Sequence, residues 1–104
     1  MSTTKEFHDY VLEQLARADE VRTRKMMGEY LLYYRNKLVG DLCDNVLLVK
    51  LTPGSERLLP GAVRQYPYEG SRTLMLAVED MEDTERMHAL LETLWAELPE
   101  KKKT

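Results

Sequence analysis

The chain has 104 residues, 43% hydrophobic and 32% charged, which excludes a disordered or low-complexity protein and fits one domain over residues 1–104. Lys and Arg total 15 against 18 Asp and Glu, a net charge of -3, which argues against an autonomous nucleic-acid-binding domain. The single cysteine, Cys43, excludes an internal disulfide and favours a reducing compartment.

A helix is the first predicted element, over about residues 4–18. Thr3-Thr4-Lys5-Glu6 fits a capping box, in which a hydroxyl and a carboxylate bond the free amides at the start of a helix. Phe7, Val11 and Leu15 then recur at four-residue spacing, which is typical of the buried face of a helix.

After this helix the hydrophobic pattern changes to that of a β-sheet. Four strands are predicted, over residues 21–27, 30–35, 38–43 and 46–51. Asn36-Lys37 and Asp44-Asn45 separate the last three strands and predict tight turns, because Asn and Asp tolerate a left-handed backbone. Strands joined by such short turns are antiparallel neighbours, so we expect a meander.

The pattern is interrupted at Thr52-Pro53-Gly54, which we interpret as a break. One short helix is predicted over residues 55–59, and residues 60–72 are predicted to be irregular. Residues 73–78 are apolar and predict one more strand.

A long helix is the last predicted element, capped by Asp80 or Asp83 and ended by Pro99. Its predicted buried stripe is Met87, Leu90, Leu91, Leu94, Trp95 and Leu98. We expect an ordered core over residues 4–98 and a flexible tail over residues 99–104.

These elements predict an α+β fold: a two-layer sandwich whose mainly antiparallel sheet carries the N- and C-terminal helices on one face. The other face is apolar too, because Leu31 and Tyr33 are predicted to share it with Arg35. A solvated strand face alternates more cleanly, so we expect a cover for this face. Three covers are open: the loop of residues 60–72, a second copy of the chain, or another protein.

The residue pattern favours a protein without catalytic, metal or cofactor site. We predict that Cys43 is a small buried hydrophobic residue, and that His8 and His88 are solvated on helix surfaces. The acidic residues of the run 79–85 fit the positive end of the last helix better than a metal site. No phosphate-binding glycine loop is present in the sequence.

Two sets of residues support alternative functions. A nucleic-acid-binding regulator would use a basic ribbon with interleaved tyrosines, formed by Arg22, Arg24, Lys25, Arg35 and Lys37. The same residues also fit an ordinary solvated strand face. A small-ligand binder or enzyme would need a pocket under residues 60–72, with Tyr66 and Tyr68 as its lid.

The stretch RKMMGEYLLYY over residues 24–34, followed by LLVK over residues 47–50, resembles the N-terminal domain of the TfoX/Sxy family. That family shows a pattern like R-x-M-F-G-G before an aromatic strand. Arg24, Met26 and Gly28 fit this pattern, whereas Met27 replaces the usual phenylalanine and Glu29 replaces the second glycine. The resemblance covers residues 7–98, and the chain is similar to the stand-alone, single-domain members of the family.

The resemblance implies an α+β fold and a bacterial competence-regulator-like role in transcription, exerted through other proteins, without an active site to carry over. The N-terminus and the short apolar stretches predict a cytoplasmic protein that does not enter a membrane. We expect a protein partner or a homodimer, and direct nucleic-acid binding is disfavoured. The expected contact residues are Arg22, Arg24, Met26, Met27, Gly28, Leu31, Tyr33 and Arg35.

Overall fold

The meander predicted over residues 21–51 is present as four antiparallel strands in the computed structural model, which describes residues 3–15, 20–67 and 70–99. The elements in chain order are α1 Lys5–Gln14, β1 Val21–Met26, β2 Glu29–Tyr34, β3 Lys37–Cys43, β4 Val46–Lys50, α2 Pro53–Leu58, β5 Arg64–Gln65, β6 Met75–Val78 and α3 Thr84–Glu97. The six strands form one antiparallel sheet in the order β1-β2-β3-β4-β6-β5. The α+β prediction is confirmed.

Three two-residue turns with a left-handed backbone connect the meander. The φ values are 51° and 85° at Met27–Gly28, 48° and 67° at Arg35–Asn36, and 52° and 59° at Asp44–Asn45. Paired positive φ angles match the right-handed twist of the flanking strands. The turn at Asp44–Asn45 is confirmed, whereas the one predicted at Asn36-Lys37 begins one residue earlier, because Lys37 already pairs with Tyr34.

A β-bulge interrupts the pairing of β2 with β3. Leu32 is opposite Gly40 and Tyr33 is opposite Leu38, so Val39 is the extra residue. Gly28 is the left-handed residue of the first turn, and the bulge lies beside Gly40.

The N-terminal helix begins as predicted but uses a different cap. The Thr4 hydroxyl accepts a hydrogen bond from the Phe7 amide, so the expected capping box of Thr3 with Glu6 is wrong. Thr3 instead donates its hydroxyl to the Leu42 carbonyl, 2.9 Å away. α1 ends at Gln14, and residues 16–18 of the predicted helix lie outside the described residues.

The segment read as a break at residues 52–54 is the start of α2. Thr52 caps this helix, and its side chain and that of Ser55 bond each other's backbone amides. Pro53 occupies the first turn, where its missing N–H costs nothing. β5 was not predicted, because its two residues are defined by their pairing with Met75 and Leu76 and not by a local pattern.

All three helices lie on one side of the sheet, which we call the helix face. The buried cluster there joins α1 and α3 to the strands through Val11, Leu15, Leu32, Leu42, Leu47, Val49, Leu90, Leu91 and Leu94. Asp83 caps α3, and Trp95 and Leu98 pack against the cluster at its other end. Residues 100–104 of the predicted flexible tail lie outside the described residues.

Candidate interaction surface

The opposite side of the sheet, which we call the groove face, is only partly covered by the described chain. Its buried hydrophobic residues are Cys43, Leu48, Met75 and Ala77, with Val46 packed against them. Pro67, Ser71 and Thr73 line a concavity of about 190 Å³ on this face together with Leu38 and Lys50. The loop that follows β5 therefore supplies part of the expected cover.

Beyond this loop the face forms an open groove of about 580 Å³. It is lined by Met26, Met27, Glu29, Tyr30, Leu31, Asp41 and Cys43. The β1–β2 turn forms its rim, and the register places Arg24, Leu31 and Asp41 side by side across three strands. The groove thus combines apolar walls with two carboxyl groups, and Arg24 lies next to it on β1.

Met27 is the most unusual residue of this surface. Its side chain is 96% exposed, and its φ of 51° is a conformation that favours Asn or Gly over a long side chain. Met26 beside it is 45% exposed. Neither the turn nor the core accounts for a methionine at position 27, so its apolar side chain is free for contacts outside the molecule.

A buried carboxyl group and a buried thiol lie in the groove. Asp41 is only 8% exposed, and this burial raises its pKa, while the charge of Lys50 opposes the rise. Burial also raises the pKa of the Cys43 thiol to about 12. The thiol is therefore neutral near pH 7, which agrees with the expectation of a small buried hydrophobic residue.

The residue pattern assigned no structural or functional role to Asp41 or Glu29. Glu29 accepts a hydrogen bond from the Asp44 amide at 3.0 Å and shares the Thr3 hydroxyl proton, also at 3.0 Å, with the Leu42 carbonyl. It thus joins the N-terminal segment to two turns. The sequence does contain a signal for Asp41, because it is the one carboxylate in the otherwise apolar predicted strand of residues 38–43. Its face depends on the bulge at Val39, which the sequence pattern does not reveal.

The structure separates the residues of the predicted contact set. Register places Arg22, Arg24, Met26, Leu31 and Tyr33 on the groove face, and the Met27–Gly28 turn lies at its edge. Leu31 and Tyr33 are half-buried there. The prediction that Arg35 shares this face is wrong, since Arg35 belongs to the second turn and no longer follows the strand alternation.

Arg35 and Lys37 instead contact α3 on the helix side. The Arg35 guanidinium lies 3.2 Å from the Glu92 carboxylate, and Lys37 donates to the Trp95 carbonyl at 2.7 Å. Both cations also lie over the Trp95 ring. The basic ribbon is therefore divided, and Arg22 and Arg24 remain exposed on the groove face with Lys25 exposed on the opposite side of β1.

Two further expectations concern residues outside the groove. His8 was expected to be solvated, but its ring lies 4.2 Å from the Tyr30 ring and bonds the Thr23 hydroxyl at 2.8 Å. His88 is exposed as expected. The other expectation is a pocket under residues 60–72 with Tyr66 and Tyr68 as its lid. A concavity of about 220 Å³ is lined by residues 59–62, but Tyr66 is not part of its lining and is 53% exposed. Tyr68 lies outside the described residues.

Residues 3–15, 20–67 and 70–99 contain no group of three His, Cys, Asp or Glu side chains that could hold a metal ion. Among the same residues, no helix has the length and apolar character needed to cross a membrane.

The fold and this surface define a small α+β protein whose antiparallel sheet is covered by helices on one face and bears an apolar groove on the other. The chain is 33% identical over 99 residues to the uncharacterized 12.7 kDa protein in the trpE 5' region of Spirochaeta aurantia, a match that covers 95% of this chain and 86% of that protein. The chain belongs to the same family as this Spirochaeta protein. No protein-family model and no solved structure matches the chain.

Proposed function

We propose that this protein is a non-enzymatic interaction module of the TfoX/Sxy N-terminal type, which regulates a cytoplasmic process by binding a protein partner through its groove face. The observation that carries the proposal is Met27, which is almost fully exposed in a backbone conformation unfavourable to it. A methionine side chain is flexible and polarizable, and such residues suit adaptable protein-binding surfaces.

The composition of the groove supports a protein partner. Apolar walls next to exposed arginines are typical of protein interfaces, where methionine and arginine are enriched. The neutral thiol of Cys43 supports a binding role over nucleophilic catalysis, because the thiolate is the nucleophilic form. A free buried cysteine also suits a reducing compartment.

The position of the cations favours a protein over nucleic acid as partner. Arg35 and Lys37 are occupied by the carboxylate and carbonyl groups of α3. Phosphate binding gains affinity from each additional cation, so a divided ribbon supports only weak contact. The regulatory part of the proposal draws on the resemblance of residues 24–34 to the family motif.

A photo-cross-linking experiment tests the proposed surface. A benzoylphenylalanine is placed at Met27 on the groove rim or, as the matched control, at His88 on the exposed side of α3. We expect a protein cross-linked from Met27 only, which is lost when Leu31→Gln is added to a chain that remains folded by circular dichroism. Equal cross-linking from both positions, or none from Met27, contradicts the proposal.

A further inference from the structure

The outer edge of β1 is available for pairing with another strand. β1 is the first strand of the sheet order, and no described strand pairs with its outer side. The Arg35 amide donates to the Glu20 carbonyl at 3.1 Å, and the hydrogen-bonding direction then alternates along β1. Arg22, Arg24 and Met26 thus bond β2, and Val21, Thr23 and Lys25 direct their backbone groups outward.

The side chains of this edge carry only positive charge. Arg22 and Arg24 are exposed on the groove face, and Lys25 is exposed on the helix face. Charged side chains on an edge strand normally oppose aggregation. The same charges select for a strand of opposite sign, because opposite charges across a strand pair stabilise it and like charges destabilise it.

Pairing of β1 with its own copy is disfavoured. A two-fold axis through the edge makes the strands antiparallel and pairs residues of the same face. A register centred on Thr23 places Arg22 opposite Arg24, and one centred on Arg24 places this arginine opposite its copy. These two registers pair the largest part of β1 with its copy, and both oppose like charges, so the full length of the edge is better suited to a different chain.

We propose that β1 binds an extended acidic segment of a partner protein as a seventh, antiparallel strand of the sheet. This inference rests on the proposed function and names the chemistry of the partner. Read from its N-terminus, the segment has an apolar residue opposite Met26 and acidic residues opposite Lys25 and Arg24. The next position, opposite Thr23, accepts any residue, and a third acidic residue lies opposite Arg22. The apolar residue lies beside Met26, which also lines the groove.

A synthetic peptide with the sequence Ser-Leu-Glu-Asp-Thr-Glu-Ser tests this pairing. We expect binding at low ionic strength that weakens with salt, with amide chemical-shift changes at Val21, Thr23 and Lys25. The double variant Arg22→Glu/Arg24→Glu should lose this binding. A charge-swapped peptide, Ser-Leu-Glu-Lys-Thr-Lys-Ser, should bind the double variant and not the original chain.

Backbone methylation of the peptide separates strand pairing from simple charge attraction. N-methylation of the first Glu and the Thr removes the amides directed at β1, and affinity should fall about tenfold or more. N-methylation of the Asp and the last Glu is the matched control, since those amides point away from β1. Equal effects of the two methylations, or no binding at millimolar peptide, overturn the proposal.

Two outcomes keep this proposal distinct from the proposed function. The cross-link formed from position 27 can persist in the Arg22→Glu/Arg24→Glu variant and be lost with Leu31→Gln. In that case the groove binds a partner and the strand pairing is wrong. If light scattering shows a dimer that the double variant abolishes, the occupant of the edge is a second copy, which also overturns the acidic segment.

Discussion

The two faces of the sheet carry similar apolar side chains but differ in how far the chain covers them. On β2, Leu32 is fully buried under the helices, whereas its neighbour Leu31 is half-buried in an open groove. The helix face is completed by residues of the same chain, and the groove face is completed only in part by the loop after β5. The difference assigns stability to one face and leaves apolar surface only partly covered on the other.

The largest expected effect distinguishes the faces directly. Leu32→Ala should lower the free energy of unfolding by about 2–5 kcal/mol, because it removes fully buried methyl groups and leaves a cavity. Leu31→Ala, the matched control on the same strand, should cost about 1 kcal/mol. Urea denaturation measures both values. Equal losses would mean that the groove face is buried in solution.

The next largest effect is expected at Gly40, beside the bulge that determines which residues of β3 point to each face. A Cβ at Gly40 would lie 2.2 Å from the Leu48 carbonyl oxygen, a backbone atom that cannot move aside without disturbing β4. Gly40→Ala should therefore destabilise the chain by about 3 kcal/mol. Gly61→Ala is the control, since its Cβ meets open space and only the positive φ adds strain, about 1 kcal/mol. Similar midpoints in thermal unfolding for the two variants contradict the close approach.

Each face also holds one buried acid that titrates at alkaline pH. Burial and the hydrogen bond to Glu92 raise the pKa of Tyr34 from 10.0 to about 12, and burial raises that of Cys43 from 9.0 to about 12. Because a raised pKa means that the folded state holds the proton more tightly, stability is complete below the unfolded pKa and falls as the pH rises toward 12.

Single variants separate these two contributions. Cys43→Ala should remove the part of the loss that begins near pH 9.0, and Tyr34→Phe the part that begins near pH 10.0. Denaturation followed across this pH range measures both slopes. An unchanged slope in either variant means that the corresponding group is open to solvent in the folded chain.

The smallest expected effect on stability concerns Met27. Met27→Asn should leave stability unchanged or raise it by about 0.5 kcal/mol, because Asn-Gly is the preferred pair for this turn. The same change should weaken cross-linking of a partner at a neighbouring groove position, such as Met26. A destabilised Met27→Asn variant would show that the methionine contributes to the fold itself.

Local patterns predicted the meander, the outer helices and the buried stripe of α3, because hydrophobic period and turn residues are local properties. They missed β5, which depends on pairing with distant residues, and the side on which Arg35 lies. A one-residue shift of a turn was enough to move that guanidinium to α3. The lining of the groove could not be predicted from the sequence, because it depends on the bulge in the pairing of β2 with β3.

The three two-residue turns have a consequence for the order of folding. They place β1 to β4 next to one another in sequence as well as in space, so each pairing closes only a short loop. Docking of α3 requires contacts such as that of Lys37 with Leu98, 61 residues away in sequence. We expect pulse-labelled hydrogen exchange to protect the amides of the meander before those that depend on α3, so the edge of β1 would form before the C-terminal helix is in place.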